Sequence, residues 1–299
     1  MSGLAEILRP DFLLHDALVA SVLVGLVCPL AGVYFVLRRM IFLGVALPQI
    51  SAAGIACAFM AYRLAVGMHA HEAPSERTLA LAGSLLFTLV GLGGLAALER
   101  RGRETVEARI GAAYAAAAAA TILFLAADPY GEAQMVNLLK GDILTIGDLG
   151  LLRAVLGAVV LVLVAFRREF LLVSFDRDMA VVLGRSAPLW DALLYLVIGA
   201  TIAFGVMTAG PLVTFGFLVV PPLTARLVTR HMLAFSLAAG ALGGGVAFAG
   251  FWAAYRLDLP LGPTQVALAT LVLLAVGAGR AVARARPGRL RFARRRDPG

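Results

Sequence analysis

The 299-residue chain is too apolar to be a water-soluble globule, because 61% of its residues are hydrophobic, 15% are charged and its mean hydropathy is +0.91. So little polar surface could not coat a domain of this size in water, and the composition predicts a polytopic membrane protein. The net charge of +8 does not indicate nucleic-acid binding, because the basic residues stand in short clusters between apolar runs, as membrane topology requires.

Nine apolar stretches are long enough to cross a membrane as helices, for which about 20 residues are needed. They predict an all-α fold in which residues 1–299 form a single transmembrane domain and 285–299 form a basic tail. The seventh stretch is short and interrupted by Pro221 and Pro222, which is tolerated where a helix faces protein or water. The predicted spans are residues 12–37, 42–62, 78–98, 106–126, 149–166, 189–209, 212–229, 232–255 and 262–282.

The distribution of basic residues predicts the orientation of the spans. If the turn at Arg38 and Arg39 is cytoplasmic, twenty of the 26 Lys and Arg residues fall on that side of the membrane and six fall on the other. Because cytoplasmic loops carry the excess of positive charge, the N-terminus is predicted outside and the C-terminus in the cytoplasm. An odd number of spans agrees with this orientation.

Residues 175–186, FDRDMAVVLGRS, form an amphipathic segment between the fifth and sixth predicted spans. Gly184 followed by Arg185 is typical of a helix C-terminus. The predicted orientation places this short helix at the cytoplasmic surface, although an ordinary polar loop would share these features. The apolar residues that can lie on one helical face are Phe175, Met179, Val182 and Leu183.

The chain contains no GxxxxGK[ST] nucleotide-binding loop, no G-x-S-x-G nucleophile elbow and no HExxH metal-binding helix. It therefore has no recognisable device for hydrolysing ATP, and we expect it not to be an enzyme. If the chain pumps a solute, a partner must hydrolyse the nucleotide.

Four stretches carry motifs that occur together in one family. Residues 32–54 join a first span, an Arg pair, a Phe-Leu-Gly turn and a second span, and residues 138–149 contain Gly-Asp-Ile-Leu in an outer loop. Residues 175–184 read F-D-x-x-x-A-x-x-x-G, and residues 205–229 join a Gly-rich entry to L-V-V-P-x-x-x-A. In this order they resemble the integral-membrane permease subunits of the ATP-binding-cassette importers for zinc, manganese and iron.

The resemblance implies that residues 175–184 are a coupling segment, which docks into a groove on a cytoplasmic ATPase. Phe175 and Met179 would be its apolar anchor, and Asp176 and Arg177 would make polar contacts at the rim. The alternative for Asp176 is that its carboxylate only caps the short helix. The positions assigned to ATPase coupling are Phe175, Asp176, Arg177, Met179, Ala180 and Gly184, and those matching the start of span two are Arg38, Arg39 and Gly44.

The chain departs from the family at two positions that bear on metal binding. Family members that carry metal typically have an Asp shortly after the span-two Gly and a His one helical turn later, and here these positions are Val45 and Gln49. Valine cannot bind a metal, and a neutral amide is a weak ligand for a divalent transition ion. Gln49 is expected to face the pore, with hydrogen bonding between helices as the alternative. The predicted translocation path comprises Val45, Gln49, Ser51, Met207, Thr208 and Pro221.

An HxHE cluster in an outer loop, formed by His69, His71 and Glu72, is a candidate metal site. Two His residues two positions apart on an extended chain can point the same way and could gather zinc or manganese at the entrance. A solvated polar loop is the alternative.

The resemblance implies an alternating-access permease of the bacterial plasma (inner) membrane that moves a divalent zinc, manganese or iron ion into the cytoplasm. Its implied partners are a cytoplasmic ATP-binding subunit, an extracytoplasmic substrate-binding protein, a second permease copy or sister permease, and the lipid membrane. No permanently bound cofactor and no nucleic acid are expected. A metal chelate, siderophore or cobalamin-type cargo is an alternative that the neutral wall at Val45 and Gln49 would suit. An intramembrane enzyme or a proton-coupled carrier is disfavoured, because few ionisable groups lie in the middles of the spans.

Overall fold

The computed structural model describes residues 14–66, 76–99, 106–127 and 149–285, and these residues form ten helices. The all-α prediction is therefore confirmed for this part of the chain. The helices are α1 (His15–Leu37), α2 (Leu43–Val66), α3 (Glu76–Glu99), α4 (Val106–Ala126), α5 (Leu149–Ala165), α6 (Arg167–Phe175), α7 (Arg177–Val182), α8 (Ala187–Val228), α9 (Met232–Leu257) and α10 (Leu261–Ala285).

The described helices have the lengths that a polytopic membrane protein requires. Seven are long and apolar enough to cross a membrane, and α5 with α6, bent by 67°, makes an eighth if the pair is one span. Helix α8 has 42 residues and covers both the sixth and the seventh predicted spans. Nine spans, the predicted number, are reached when α5 with α6 is counted as one span and the two arms of α8 are counted separately.

Helix α8 folds back sharply near its middle. Gly210 has φ 81° and ψ 166°, a backbone conformation that favours glycine, and Pro211 follows it. Nine residues of straight helix would span about 13 Å. A methyl group placed on Gly205 would nevertheless lie only 2.9 Å from Thr214. The bend therefore separates two arms at the junction predicted between residues 209 and 212.

Both ends of α8 lie at the same end of the bundle. Arg38 donates a hydrogen bond to Asp191, near the start of the first arm, at 2.8 Å. Arg226, near the end of the second arm, donates to the carbonyl of Val36 at 3.2 Å. Since Val36 and Arg38 are at the C-terminal end of α1, the first arm leaves this end and the second arm returns to it. We call it the Arg38 end; it gathers basic residues predicted on the cytoplasmic side.

The interruption predicted at Pro221 and Pro222 is wrong, because Gly210 is the only residue of α8 with non-helical backbone angles. Proline removes one backbone donor, and here the carbonyl that loses its donor to Pro222 is that of Leu218. Gly32 of α1 packs directly against this carbonyl. Both prolines are buried within the bundle, where neighbouring helices accommodate the missing hydrogen bonds.

Small residues bring the backbones of the central helices into contact. A methyl group on Gly32 would clash with the carbonyl of Leu218, and one on Gly243 would clash with that of Gly25, so α1 is held closely against both α8 and α9. Helices α2 and α3 meet in the same way at Gly54. Such close approach is the usual basis of helix association in membranes, where apolar side chains gain little by leaving lipid.

Replacing Gly32 by Ala should disrupt the bundle, because the new methyl group would overlap backbone rather than a side chain that can move. We expect a loss of stability above about 2 kcal/mol, read as a lower midpoint of thermal unfolding in detergent. Gly245→Ala is the matched control on α9, because a methyl group there meets nothing within 4 Å. Equal midpoints for the two variants would contradict this packing.

Candidate coupling segment and translocation path

The coupling segment contains a short capped helix, α7. Asp176 is its N-cap, in an extended conformation, and its carboxylate accepts a hydrogen bond from the backbone N–H of Met179 at 2.9 Å. At the other end Gly184 has φ 72°, and the N–H groups of Gly184 and Arg185 donate to the carbonyls of Val181 and Ala180. These paired hydrogen bonds around a left-handed glycine terminate a helix as the sequence predicts.

The segment differs from the single amphipathic helix predicted over residues 175–186. Phe175 is the last residue of α6, a nine-residue helix that is not predicted from the sequence, and α7 begins only at Arg177. Ala180, assigned to coupling by the resemblance, is completely buried in a small cluster with Val173 and Ala187. In this conformation Ala180 packs the segment onto the bundle and faces no partner.

Large apolar side chains of the coupling segment are exposed. Phe175 is 64% exposed, Met179 49% and Val182 80%, although charged residues surround them. Asp176, Arg177 and Arg185 would be costly to place in lipid, so this apolar patch does not face the hydrocarbon core. We define the docking patch as Phe175, Met179, Val181, Val182 and Leu183.

Helix α6 is fixed to the bundle by an aromatic cluster. Phe170 is fully buried, with its ring centroid 5.9 Å from that of Tyr34 on α1 and 6.0 Å from that of Trp190 on α8. The rings of Phe166 and Trp190 lie 5.3 Å apart. The two pairs that Phe170 makes are edge-to-face, and such pairs add about 0.5–1.5 kcal/mol each beyond the area they bury. Helix α6, which ends at Phe175 of the docking patch, is thus firmly attached to α1 and α8.

A polar network lies beside the aromatic cluster. Arg38 donates to Asp191 at 2.8 Å, to Ser174 at 3.0 Å and to the hydroxyl of Tyr195 at 3.3 Å. Arg177 pairs with the second oxygen of the same Asp191 carboxylate at 3.3 Å. No role for Asp191 is predicted from the sequence. The available signal was an acidic residue inside an otherwise apolar predicted span, where charge is expensive unless it is paired.

The predicted path residues are distributed between two environments. Val45 and Gln49 are partly exposed and lie one turn apart on α2, as predicted from their spacing. Met207 on the first arm of α8 is also partly exposed. Thr208 and Pro221 are buried in the arms of α8.

Ser51 is fully buried rather than placed on an open wall. The hydroxyls of Ser51 and Ser84 are 2.6 Å apart, and Ser84 donates to the carbonyl of Ala203 at 3.3 Å. Ser51 therefore helps to join α2, α3 and the first arm of α8.

The predicted outer metal cluster of His69, His71 and Glu72 lies outside the described residues. Among the residues that are described, no group of three or more His, Cys, Asp or Glu side chains could hold a metal ion.

The described residues thus form a helical membrane bundle with an exposed apolar patch among charged residues at one end. The chain matches the ABC 3 transport family over residues 11–279 and therefore belongs to that family. The resemblance inferred from the four motifs is confirmed: the chain is a permease of the metal importers driven by ATP-binding cassettes, a multi-pass protein of the bacterial inner membrane.

Relatives of similar length support this assignment. A probable iron transport system membrane protein of Haemophilus influenzae is 26% identical over 266 residues, which cover 88% of each chain. The manganese transport system membrane protein MntC of Listeria monocytogenes is 25% identical over 261 residues, covering 87% of this chain and 88% of that one. A probable metal transport system membrane protein of Thermotoga maritima is 27% identical over 263 residues, with the same coverage.

Solved structures share the fold. PsaBC from Streptococcus pneumoniae, in complex with Fab, has a TM-score of 0.76 at 20% identity, covering 91% of this chain and 95% of that one. An inward-facing conformation of a putative metal-chelate type transporter has a TM-score of 0.64 at 15% identity, covering 91% and 85%.

Replacing Asp176 by Ala should loosen α7, because it removes the acceptor for the N–H of Met179. Loss of an N-cap costs about 1 kcal/mol, which raises the open fraction of the segment roughly fivefold. Cleavage of the purified permease by trypsin at Arg177 or Arg185 should accelerate by that factor, whereas Asp176→Ser, which keeps a capping oxygen, should cleave near the wild-type rate. If trypsin cleaves the Ser and Ala variants equally fast, and both faster than wild type, the carboxylate charge holds the segment and the cap does not. Wild-type cleavage rates in both variants would show that neither does.

Proposed function

We propose that this chain is the membrane permease of an importer that moves a divalent transition metal into the cytoplasm, energised by a separate ATPase that docks on the coupling segment. The observation that carries the proposal is the docking patch, in which large apolar side chains are exposed among charged residues at the Arg38 end. An apolar centre with a polar rim is the composition of a protein interface.

The docking patch fits a groove on a partner rather than a flat surface. Helix α7 has six residues, capped by Asp176 and closed at Gly184, so it projects as a compact knob. Asp176 uses one carboxylate oxygen for its cap, which leaves the other oxygen for contacts at the rim. Arg177 is half exposed at the edge of the patch, where it pairs with Asp191 of the bundle.

The path for the metal is proposed to run along α2 and the first arm of α8. Val45 and Gln49 are partly exposed on α2 although most neighbouring positions on that helix are buried, which is expected of a surface completed by another chain. A second copy of the permease, or a sister permease, would complete it. Alternating access would then open this surface to one side of the membrane and then the other.

The cargo is proposed to be a bare divalent ion such as manganese, zinc or iron, delivered by an extracytoplasmic binding protein. The relatives named for manganese, iron or metal transport cover most of the chain and support this choice. A chelated cargo has weaker support, because the solved transporter described as metal-chelate type shares the fold at only 15% identity.

Met179→Glu should detach the ATPase, because it places a charge at the centre of the docking patch. We expect at least a tenfold loss of copurifying ATPase subunit from solubilised membranes, with the permease itself still monodisperse in detergent. Leu257→Glu is the control, since it puts the same charge on an exposed Leu at the far end of α9. Retention of the ATPase by the Met179 variant would remove the docking assignment.

The cargo can be tested with the assembled complex in proteoliposomes. Radiolabelled manganese or zinc, supplied with the binding protein and ATP, should accumulate, and Gln49→Leu should slow uptake at least fivefold by removing the amide from the path. Ile50→Val is the matched control, because the neighbouring Ile50 packs against Gly91 instead. Uptake of a ferric siderophore or cobalamin, but of neither bare ion, would replace the proposed cargo by a chelate.

A further inference from the structure

Asp191 joins three helices through a single carboxylate. Its two oxygens accept from different arginines, one from Arg38 of the α1–α2 turn at 2.8 Å and the other from Arg177 of α7 at 3.3 Å. The Asp191 side chain is 12% exposed and sits in the first turns of α8. It therefore lies too deep to contact a docked ATPase, yet it touches the segment on which the ATPase is proposed to dock.

The two ion pairs differ in strength. Arg38 is as buried as Asp191, and it also donates to Ser174 and Tyr195, with its guanidinium 5.4 Å from the centre of the Tyr195 ring. Removing one partner of such a buried pair leaves an uncompensated charge, which is strongly unfavourable. Arg177 is 51% exposed, and exposed pairs contribute little. Breaking the Arg38–Asp191 pair thus costs much free energy, whereas breaking the Arg177–Asp191 pair costs little.

Two of the elements that meet at Asp191, the α1–α2 turn and α8, lead to the proposed path. Five residues beyond Arg38 the chain enters α2, which carries Val45 and Gln49. The first arm of α8 continues from Asp191 to Ala203, whose carbonyl accepts from Ser84, and then to Met207. A shift of α7 that displaces Asp191 would therefore also displace α2 and the first arm of α8, because buried and hydrogen-bonded contacts connect Asp191 to both.

We propose that Asp191 is the positioning residue that transmits movement of the coupling segment to α2 and α8, and that its pair with Arg177 is the releasable contact in that transmission. This rests on the proposed docking of an ATPase at the coupling segment. ATP-driven movement of α7 makes or breaks the Arg177 contact, while Arg38 keeps Asp191 attached to the start of α2. Two helices that line the path then respond together.

The test uses the complete complex of permease, ATPase and binding protein in lipid nanodiscs, with manganese and zinc as separate probes. Asp191→Asn should still copurify with the ATPase, but stimulation of ATP hydrolysis by metal-loaded binding protein should fall at least fivefold. Arg177→Gln should reduce stimulation to a similar extent, and Arg177→Lys should restore part of it. The double variant should be no worse than Asp191→Asn alone, because Asp191→Asn already removes the carboxylate with which Arg177 pairs.

Arg185→Gln is the matched control, because Arg185 is equally exposed on the same segment but pairs with Glu169 of α6 at 3.8 Å. It should retain wild-type stimulation. An Arg177→Gln effect that persists undiminished in the Asp191→Asn background would mean that Arg177 contacts the ATPase directly, and this would overturn the proposal. Equal losses in the Arg177 and Arg185 variants, or stimulation within twofold of wild type in Arg177→Gln, would also overturn it.

Two outcomes separate this inference from the proposed function. If Asp191→Asn fails to fold, Asp191→Glu, which keeps the charge but displaces it, takes its place in the double-variant comparison with Arg177→Gln. If Met179→Glu detaches the ATPase while all Arg177 variants stay fully stimulated, the docking proposal stands and the transmission proposal falls. If Met179→Glu leaves the ATPase bound, the docking proposal itself fails.

Discussion

The backbone contact between α1 and the second arm of α8 is the constraint on which the bundle depends. Apolar side chains gain little by exchanging lipid for another helix, so the helices must be held by close packing and polar contacts. Gly32 lets α1 reach the carbonyl of Leu218, which lacks a helical donor because residue 222 is proline. The same helix packs against α9 at Gly25 and Gly243. One helix with small residues on its buried surface thus positions the elements on both sides of it.

The reversal of α8 at Gly210 brings both ends of this helix to the coupling segment's end of the bundle. Because α8 leaves the Arg38 end and returns to it, Asp191 at its start and Arg226 near its finish both touch the end of α1. The coupling segment is attached at the same place by the Phe170 aromatic cluster and by the Asp191 network. The coupling segment and both ends of α8 therefore meet at the Arg38 end, while the bend between the arms lies at the opposite end.

Much of this architecture could be predicted from the sequence, because apolar runs of membrane length and glycine at a helix C-terminus are local signals. The spans, the junction at Gly210 and the end of α7 at Gly184 follow from them. The interruption predicted at Pro221 failed because a missing backbone donor breaks a helix only when nothing accommodates the freed carbonyl. The inward direction of Ala180 and the pairing of Asp191 were out of reach, since both depend on which helices become neighbours.

In the proposed path, Val45 and Gln49 stand where the resemblance implies metal ligands, which fits an importer that leaves recognition to the proposed binding protein. A transported ion must leave its path as readily as it enters, so a site that binds strongly slows release. Gln49 offers an amide oxygen and Met207 a thioether, each a weaker ligand for a divalent ion than a carboxylate or an imidazole. A path lined in this way would hold the ion briefly while the walls rearrange, and selectivity would depend on what the outer partner delivers. In the proposed mechanism, coupling through Asp191 then matters more than affinity, because the timing of wall movement gives the transport its direction.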